Sequence, residues 1–598
     1  MKKNAHRASF KKTTKATSPT SSTLPIQPRS SSSKLRPVFW LVLAAIPLLL
    51  LMVLEGTLRL VGYGVELPLF VPHPAHTGYL TARPDAVRRF VPTGITPPNV
   101  TIEPQYFLAD KPANGLRIFV QGESSAAGYP YGLGASLAGL LDGRLRRSYP
   151  EQHVEVINTA MSAVNSYSML SYVPDILQQQ PDAVLIYAGH NEFVGILGVA
   201  AAEPWLGSST LTRLSLALRP YRLYQAVEQL GSAVMPQPDV SQQAPQQKRT
   251  LMARLAQSQS IPWQSELYQA GLAQYQRNLA ALLRQYKQAG VPVFLATVAS
   301  NIAEQKPFQS PPLTVSQRQL LAELAVADAA QSAATLAELE NIIQREQHAL
   351  LAFELGQWLR SQQRFAPAKK YLELARDLDT LRFRAPTDIN QIHRQLAQQF
   401  GATLVETEAA LAQHSTGGLI GRELMLEHLH PNLPGYFVIA DTFYQALAQS
   451  KQLPAMTQPE STAQAWTLRP VLPAEEYAAF ARIATLTADY PFVPSAQPVQ
   501  LPQASDWQQQ LGLDYFAHRL SWLDLMQQSQ VRYQQQADRA MQLKTSLILA
   551  DAMPDQALFQ ANAAQQLQQQ GRDTESRYYQ QRCQRAQPAE SAGLCHQP

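Results

Sequence analysis

Leu116-Arg117-Ile118-Phe119-Val120-Gln121-Gly122-Glu123-Ser124-Ser125-Ala126-Ala127-Gly128 is the stretch on which the fold reading turns. A short apolar, β-branched run ends in a glycine-bounded turn that presents a serine, which is how a buried strand delivers a nucleophile from its carboxyl end. The arrangement recurs twice. Val154-Glu155-Val156-Ile157 leads into Asn158-Thr159-Ala160-Met161-Ser162-Ala163, and Ala183-Val184-Leu185-Ile186-Tyr187 leads into Gly189-His190-Asn191-Glu192. Leu272, Tyr275, Leu279, Leu282, Leu283 and Tyr286 recur at helical spacing, and Gly290 ends that helix ahead of a strand from Val291 to Val298. Ala402-Thr403-Leu404-Val405 supplies a fifth strand. This alternation predicts an α/β chain, a flavodoxin-like three-layer sandwich on a parallel sheet with right-handed crossovers. Each turn that follows a strand then gathers at the carboxyl edge of the sheet, where open α/β sheets hold their ligands.

A fourth segment, Glu427-His428-Leu429-His430-Pro431-Asn432, supplies an acid-x-x-His. Nucleophile, backbone N–H, side-chain amide and oriented base are the parts that acyl transfer needs. In this order the four segments resemble the blocks of the SGNH (GDSL-type) hydrolase superfamily, over roughly residues 113 to 200, 265 to 302 and 400 to 448. The resemblance implies Ser124, not Ser125, as nucleophile, and His430 as base with Glu427 as its orienting acid. It also implies an oxyanion hole from the N–H groups of Ser124 and Ala163 and the Asn191 amide. His428 is the local rival to His430. The sequence departs from the pattern three times. Glu123 replaces an aspartate and serves the turn, Ala163 replaces a glycine and is tolerated if its φ is negative, and Glu427 is one methylene longer than aspartate.

The formal charge of +5 misleads, because Lys2, Lys3, Arg7, Lys11, Lys12, Lys15, Arg29, Lys34 and Arg36 stand in an acid-free Ser/Thr-rich tail. The rest carries 41 basic residues against 45 acidic, so the pI does not indicate a nucleic-acid surface. Val38 to Leu54 is apolar throughout, with Pro47 the one breaker, and reads as a membrane anchor; a cleaved signal peptide is the competing reading. The Lys/Arg excess ahead of it, against Arg59 alone between Glu55 and Pro74, predicts a cytoplasmic tail and an exported, periplasmic or otherwise extracytoplasmic catalytic domain on the inner membrane. In an exported chain Cys583 and Cys595 read as a disulfide, with two surface thiols as the alternative.

The expected organisation is a disordered basic tail (1–36), an anchor (37–55), a partly extended neck (56–112), and the first part of the core (113–302) carrying a surface insert at 200–262. A helical insert (303–384) follows, then the last part of the core (385–450), a linker (451–504) and a helical C-terminal region (505–598). Leu355, Gly356, Ala368, Leu372 and Ala375 match the spacing of a tetratricopeptide-like repeat, and a second helical hairpin is expected around Gly571. Such helices pack on each other or on a protein partner. Arg382 and Arg384, stiffened by Pro386, are candidates for an anionic substrate group, against a salt-bridged helix end. No Cys/His cluster has zinc spacing and no Gly-rich loop has phosphate-binding form, so no metal or cofactor is expected. These features together point to a serine esterase acting on an ester of an envelope glycan or lipid. An O-acyltransferase using the same site and an envelope scaffold with an auxiliary esterase site remain as alternatives.

Overall fold

The structure is a computed structural model, and it describes residues 35–75, 78–92, 97–199, 209–234, 250, 252–253, 260–326, 329–586 and 595. Almost all of the basic tail and much of 200–262 lie outside the described residues. The chain divides into two compact units, Met1–Gly64 and Val65–Pro598. In the first, one helix runs from Leu35 to Leu60, past the apolar run read from sequence. Its Phe39–Leu60 portion, 22 residues, is long and apolar enough to cross a membrane; at 1.5 Å per residue it spans about 33 Å.

The second unit is built on five parallel strands: β4 (Gly115–Gly122), β5 (His153–Asn158), β6 (Ala183–Tyr187), β7 (Val293–Ala296) and β8 (Thr403–Val405), in the order β5-β4-β6-β7-β8. β4 and β6 are buried along nearly their whole length, which is why they read as unbroken apolar runs with no alternation. The crossovers are helices Leu137–Ser148, Ser166–Gln178, Glu266–Gln288 and Thr387–Phe400. Helices Leu137–Ser148 and Leu433–Gln449 pack together, as do Ser166–Gln178, Glu266–Gln288 and Thr387–Phe400, so the sheet lies between two helical layers. Side-chain oxygens start these helices where the sequence offers them: Ser136 accepts from Gly139 N–H, Asn165 from Tyr167 and Ser265 from Tyr268.

Three segments differ from their expected form. The neck contributes a second sheet, antiparallel, of β1 (Phe70–Pro72), β2 (Tyr79–Ala82) and β3 (Tyr106–Leu108). Phe70 and Phe107 pack edge-on to one another and against Phe119 of β4, so this segment belongs to the main core. Its short strands are interrupted by prolines and show no period long enough to read. The expected linker holds helices Thr462–Thr467 and Pro473–Thr487; Ala474 and Ala478 of the second, and Leu472 at its cap, are buried. The insert at 200–262 contains two helices, Ser209–Leu218 and Arg222–Val234.

The helical insert comprises Val315–Val326, Ala329–Glu346, Ala349–Ser361 and Phe365–Leu378, with an apolar cluster of its own. The last two form a close hairpin in which a Cβ on Gly356 would come within 2.8 Å of Leu372. The C-terminal helices include the hairpin Ala557–Gln569 and Asp573–Ala586 around Gly571, and Cys583 is disulfide-bonded to Cys595. Arg146 of the core pairs with Asp551 of this region, and Tyr79 donates to Pro554 O at 3.2 Å. The C-terminal region therefore docks on the core through specific polar contacts.

Candidate active site

Three of the four segments sit at the carboxyl ends of β4, β5 and β6, and the fourth directly precedes the Leu433–Gln449 helix. Strand order reverses around β4, so Ser124 at the end of β4 and Asn191 beyond β6 face each other across the switch point. The serine turn needs its first glycine. A Cβ on Gly122 would lie 2.2 Å from Tyr187 O and 2.5 Å from the Ala126 methyl, so no side chain fits between strand and turn.

Ser124 opens a one-turn helix, and its Oγ lies 2.8 Å from His430 Nε2. On the other side of the ring His430 Nδ1 contacts Glu427 Oε1, which also accepts the His430 backbone N–H at 3.0 Å. The longer acid is thus accommodated by a tight turn in which one carboxylate oxygen meets both the ring and the backbone N–H of His430. Ser125 is buried, with its Oγ 3.5 Å from Leu429 O and no contact to the histidine.

His428 is more involved than expected. Its Nδ1 and backbone N–H both meet the second oxygen of Glu427, so the carboxylate sits between two imidazoles. Only His430 reaches the serine; His428 is packed among Phe308, Phe383 and Phe492. The ligating atoms of Glu427, His428 and His430 lie within 4.8 Å of one another, a donor cluster that spacing rules for zinc do not reveal. The direct contacts of each ring with the carboxylate occupy that space. Burial pushes the His430 imidazole down to about 3 and holds His428 below its ordinary value.

The loop that carries Asn191 is held by a glutamate. Glu123 Oε2 accepts the N–H groups of His190 (2.9 Å) and Asn191 (3.1 Å), tying the asparagine loop to the nucleophile turn. Burial raises the Glu123 carboxyl to about 8, with the backbone donors of Asn191, Gly189 and His190 acting in the opposite sense. Gly189 holds φ +142°, and a Cβ there would strike Ile389 at 2.6 Å. The Asn191 amide nitrogen is buried with no hydrogen-bond partner among the described residues. Nor does any acceptor among those residues take the N–H of Ser124 or Ala163. Three donors left open around one serine are what an oxyanion would satisfy.

Ala163 overturns one expectation. Its φ is +63°, the left-handed region, where a Cβ costs roughly 1–2 kcal/mol. The backbone is held there from both sides: Ala163 O accepts from Ile196 N–H at 2.7 Å, and Glu192 accepts from Ser166 N–H and Oγ just beyond.

Arg382 and Arg384 are corrected outright. Both are buried, 1 % and 4 % exposed. Arg382 donates to Ile261 O and Asp377 O and lies over the Tyr268 ring, while Arg384 donates to Asn301 O and Gln305 O and pairs with Asp379. They brace loops and do not offer a fork to substrate. Asn301 N–H in turn donates to His428 O, so Arg384 supports the dyad loop from behind. The Asp379 that precedes the pair by a few residues was the available signal, since a buried arginine needs a partner.

A cavity of about 1150 Å³ lies elsewhere, between core and C-terminal helices beside Trp466, Arg469, Trp522 and Lys544. Ser124, Asn191 and His430 do not line it.

No protein-family model matches the sequence, and no curated protein does. Solved structures do match. An acetylxylan esterase of Geobacillus stearothermophilus has 13 % identity and a TM-score of 0.25, over 57 % of this chain and 96 % of that one. A lipase/acylhydrolase of Enterococcus faecalis has 11 % identity and 0.26, over 57 % and 100 %. A putative lipolytic protein of the G-D-S-L family from Desulfitobacterium hafniense has 10 % identity and 0.24, over 55 % and 98 %.

Proposed function

We propose that this chain is a membrane-anchored serine esterase working through an acyl-enzyme. The observation that carries this reading is the hydrogen-bonded line Ser124–His430–Glu427 beside the unpartnered Asn191 amide. Ser124 Oγ attacks the ester carbonyl while His430 Nε2 takes its proton, and Glu427 stabilises the imidazolium from Nδ1. The oxyanion is received by the N–H groups of Ser124 and Ala163 and by Asn191 Nδ2. His430 then returns the proton to the leaving alcohol. Water, activated by the same imidazole, releases the acid.

The substrate we propose is an ester of an envelope glycan or lipid, met outside the cytoplasm. The basis is the Lys/Arg excess ahead of the anchor, which keeps the tail cytoplasmic. An acceptor hydroxyl in place of water would make the same residues an O-acyltransferase.

A fluorophosphonate probe followed by peptide mapping tests the site. The expected result is one adduct, at Ser124, lost in Ser124→Ala together with turnover of p-nitrophenyl acetate and retained in Ser125→Ala. A folded enzyme that neither takes the probe nor turns over any ester among short, long-chain and acetylated-glycan substrates would overturn the reading.

A further inference from the structure

Helices Ser209–Leu218 and Arg222–Val234 are patterned the wrong way round for a surface in water. The first turns Thr212 and Ser215 into the protein beside Leu216, which packs on the core; the turn after it buries Arg219, and the second helix Arg222 and Gln225, none of these five polar residues more than 8 % exposed. Outward they present Leu211 and Leu214, then Tyr221, Val227 and Leu230, all between 50 and 68 % exposed. Leu211, Leu214 and Leu218 fall on one face by their spacing, as do Leu223, Val227 and Leu230. Elsewhere in the second unit large apolar side chains are exposed singly and far apart in sequence, as at Val315, Phe480, Val499, Val531 and Leu558.

The inversion is held in place. Ser215 Oγ and Tyr224 OH are 2.7 Å apart and join the two helices. Arg219 donates to Arg89 O at 2.8 Å, Arg213 to Asn278 Oδ1 at 2.7 and 2.9 Å, and Arg222 pairs with Glu66 at 3.3 Å. Rotating either helix to bury its leucines would orphan these groups. Left in water, each of these half-exposed apolar side chains forgoes part of its burial, so this face is made to be covered.

Chain connectivity says by what. The Gln225 side chain brackets Val65, donating to its carbonyl and accepting its N–H, both at 2.9 Å. Only residues 61–64 separate Val65 from Leu60, the last residue of the apolar span. At about 3.5 Å per residue that tether reaches no further than about 18 Å. A hairpin fastened to Val65 therefore stays within reach of the plane in which the span ends, and a leucine-rich face with a tyrosine at its turn suits that plane. We propose that the 209–234 hairpin lies in the membrane interface with its apolar face in the lipid, so that the catalytic unit is docked on the bilayer. This rests on the membrane reading of the span and not on the ester chemistry.

The test uses the full chain in phosphatidylcholine/phosphatidylglycerol vesicles, with a nitroxide on Leu214→Cys, Val227→Cys or Leu230→Cys, and on Val531→Cys as an exposed control. The native cysteines are in a disulfide, so labelling is selective. The expected result is a several-fold higher ratio of oxygen to nickel-chelate accessibility at 214, 227 and 230 than at 531. Labels as chelate-accessible as the control would overturn the proposal. So would labels shielded from both reagents in vesicles and in detergent alike, which would mean that protein, a further segment or a second copy, covers the face. Carbonate extraction of the unlabelled chain tests the span separately: a released chain defeats the anchor, whereas an aqueous label on a retained chain defeats only the docking.

Discussion

On the proposed mechanism Asn191 meets the oxyanion directly while Glu123 only holds the loop that carries it, so their substitutions should separate. The Asn191 amide nitrogen has no acceptor among the described residues, so Asn191→Ala should lower kcat by about 10²–10³ with KM and Tm little changed, as for removal of a donor used only in the transition state. Glu123 acts on substrate only through the loop it holds. Burial keeps its carboxyl protonated up to about pH 8, so an amide is a fair substitute: Glu123→Gln should keep most activity, while Glu123→Ala should lose both turnover and Tm. Steady-state kinetics alongside thermal melts distinguishes these outcomes; equal damage from Gln and Ala would mean that an ionised Glu123 is required. His430 gives a pH test. An ordinary histidine would be roughly 3 % free base at about pH 5, but burial holds this one down to about 3. The acid limb of kcat/KM should therefore lie well below pH 6.5, and an inflection between pH 6 and 7 would show that the Glu427 carboxylate outweighs burial.

Among the loops and helices, the Asp379–Arg384 turn joins the helical insert to the dyad loop. Asp379 accepts from the N–H groups of Phe308, Gln309 and Leu381 and pairs with Arg384, whose other bonds hold the Asn301 and Gln305 carbonyls. Removing one member leaves a buried charge, a loss of about 3–5 kcal/mol. Arg384→Ala should lower Tm sharply and reduce turnover of a small neutral ester and of a large anionic one in the same proportion. A selective rise in KM for the anionic ester would restore a substrate role that the geometry gives no support. The reason sequence misplaced this pair is general: two arginines on a turn look alike whether they meet solvent, substrate or carbonyls from residues far away in the chain. That Ser124, Glu427 and His430 meet was legible, because the serine turn closes a strand and the acid-x-x-His lies in the turn ahead of a helix. The positive φ of Ala163 was not, since alanine carries no mark of the backbone region it occupies. Nor was the 209–234 hairpin, where a polar inward face and an apolar outward one defeat the assumption that apolar periodicity points to the core.

At the scale of the whole molecule, three histidines and three glutamates with large shifts respond oppositely to pH. Burial lowers His190, His393 and His430 each to about 3. Below pH 6.5 the unfolded chain protonates these imidazoles and the folded one does not, so unfolding takes up protons and stability falls as pH falls toward 3. Burial raises Glu123 to about 8 and Glu192 and Glu475 each to about 7. Above pH 4.5 the unfolded chain ionises these carboxyls while the folded one keeps them protonated, so stability falls as pH rises from 4.5 toward 7–8. Of these six groups only the histidines act below 4.5 and only the glutamates above 6.5; between the two their slopes oppose. Thermal or denaturant unfolding of the full chain in detergent should therefore show maximal stability between pH 4.5 and 6.5, with losses on both sides. Glu192→Gln should flatten the alkaline side alone, because Gln keeps an acceptor for Ser166 without a proton to lose, and His393→Asn should flatten only the acid side. A stability maximum above pH 7.5 would mean that the three glutamates are ionised in the folded chain, and with that the neutral Glu123 tie behind the oxyanion loop would fail as well.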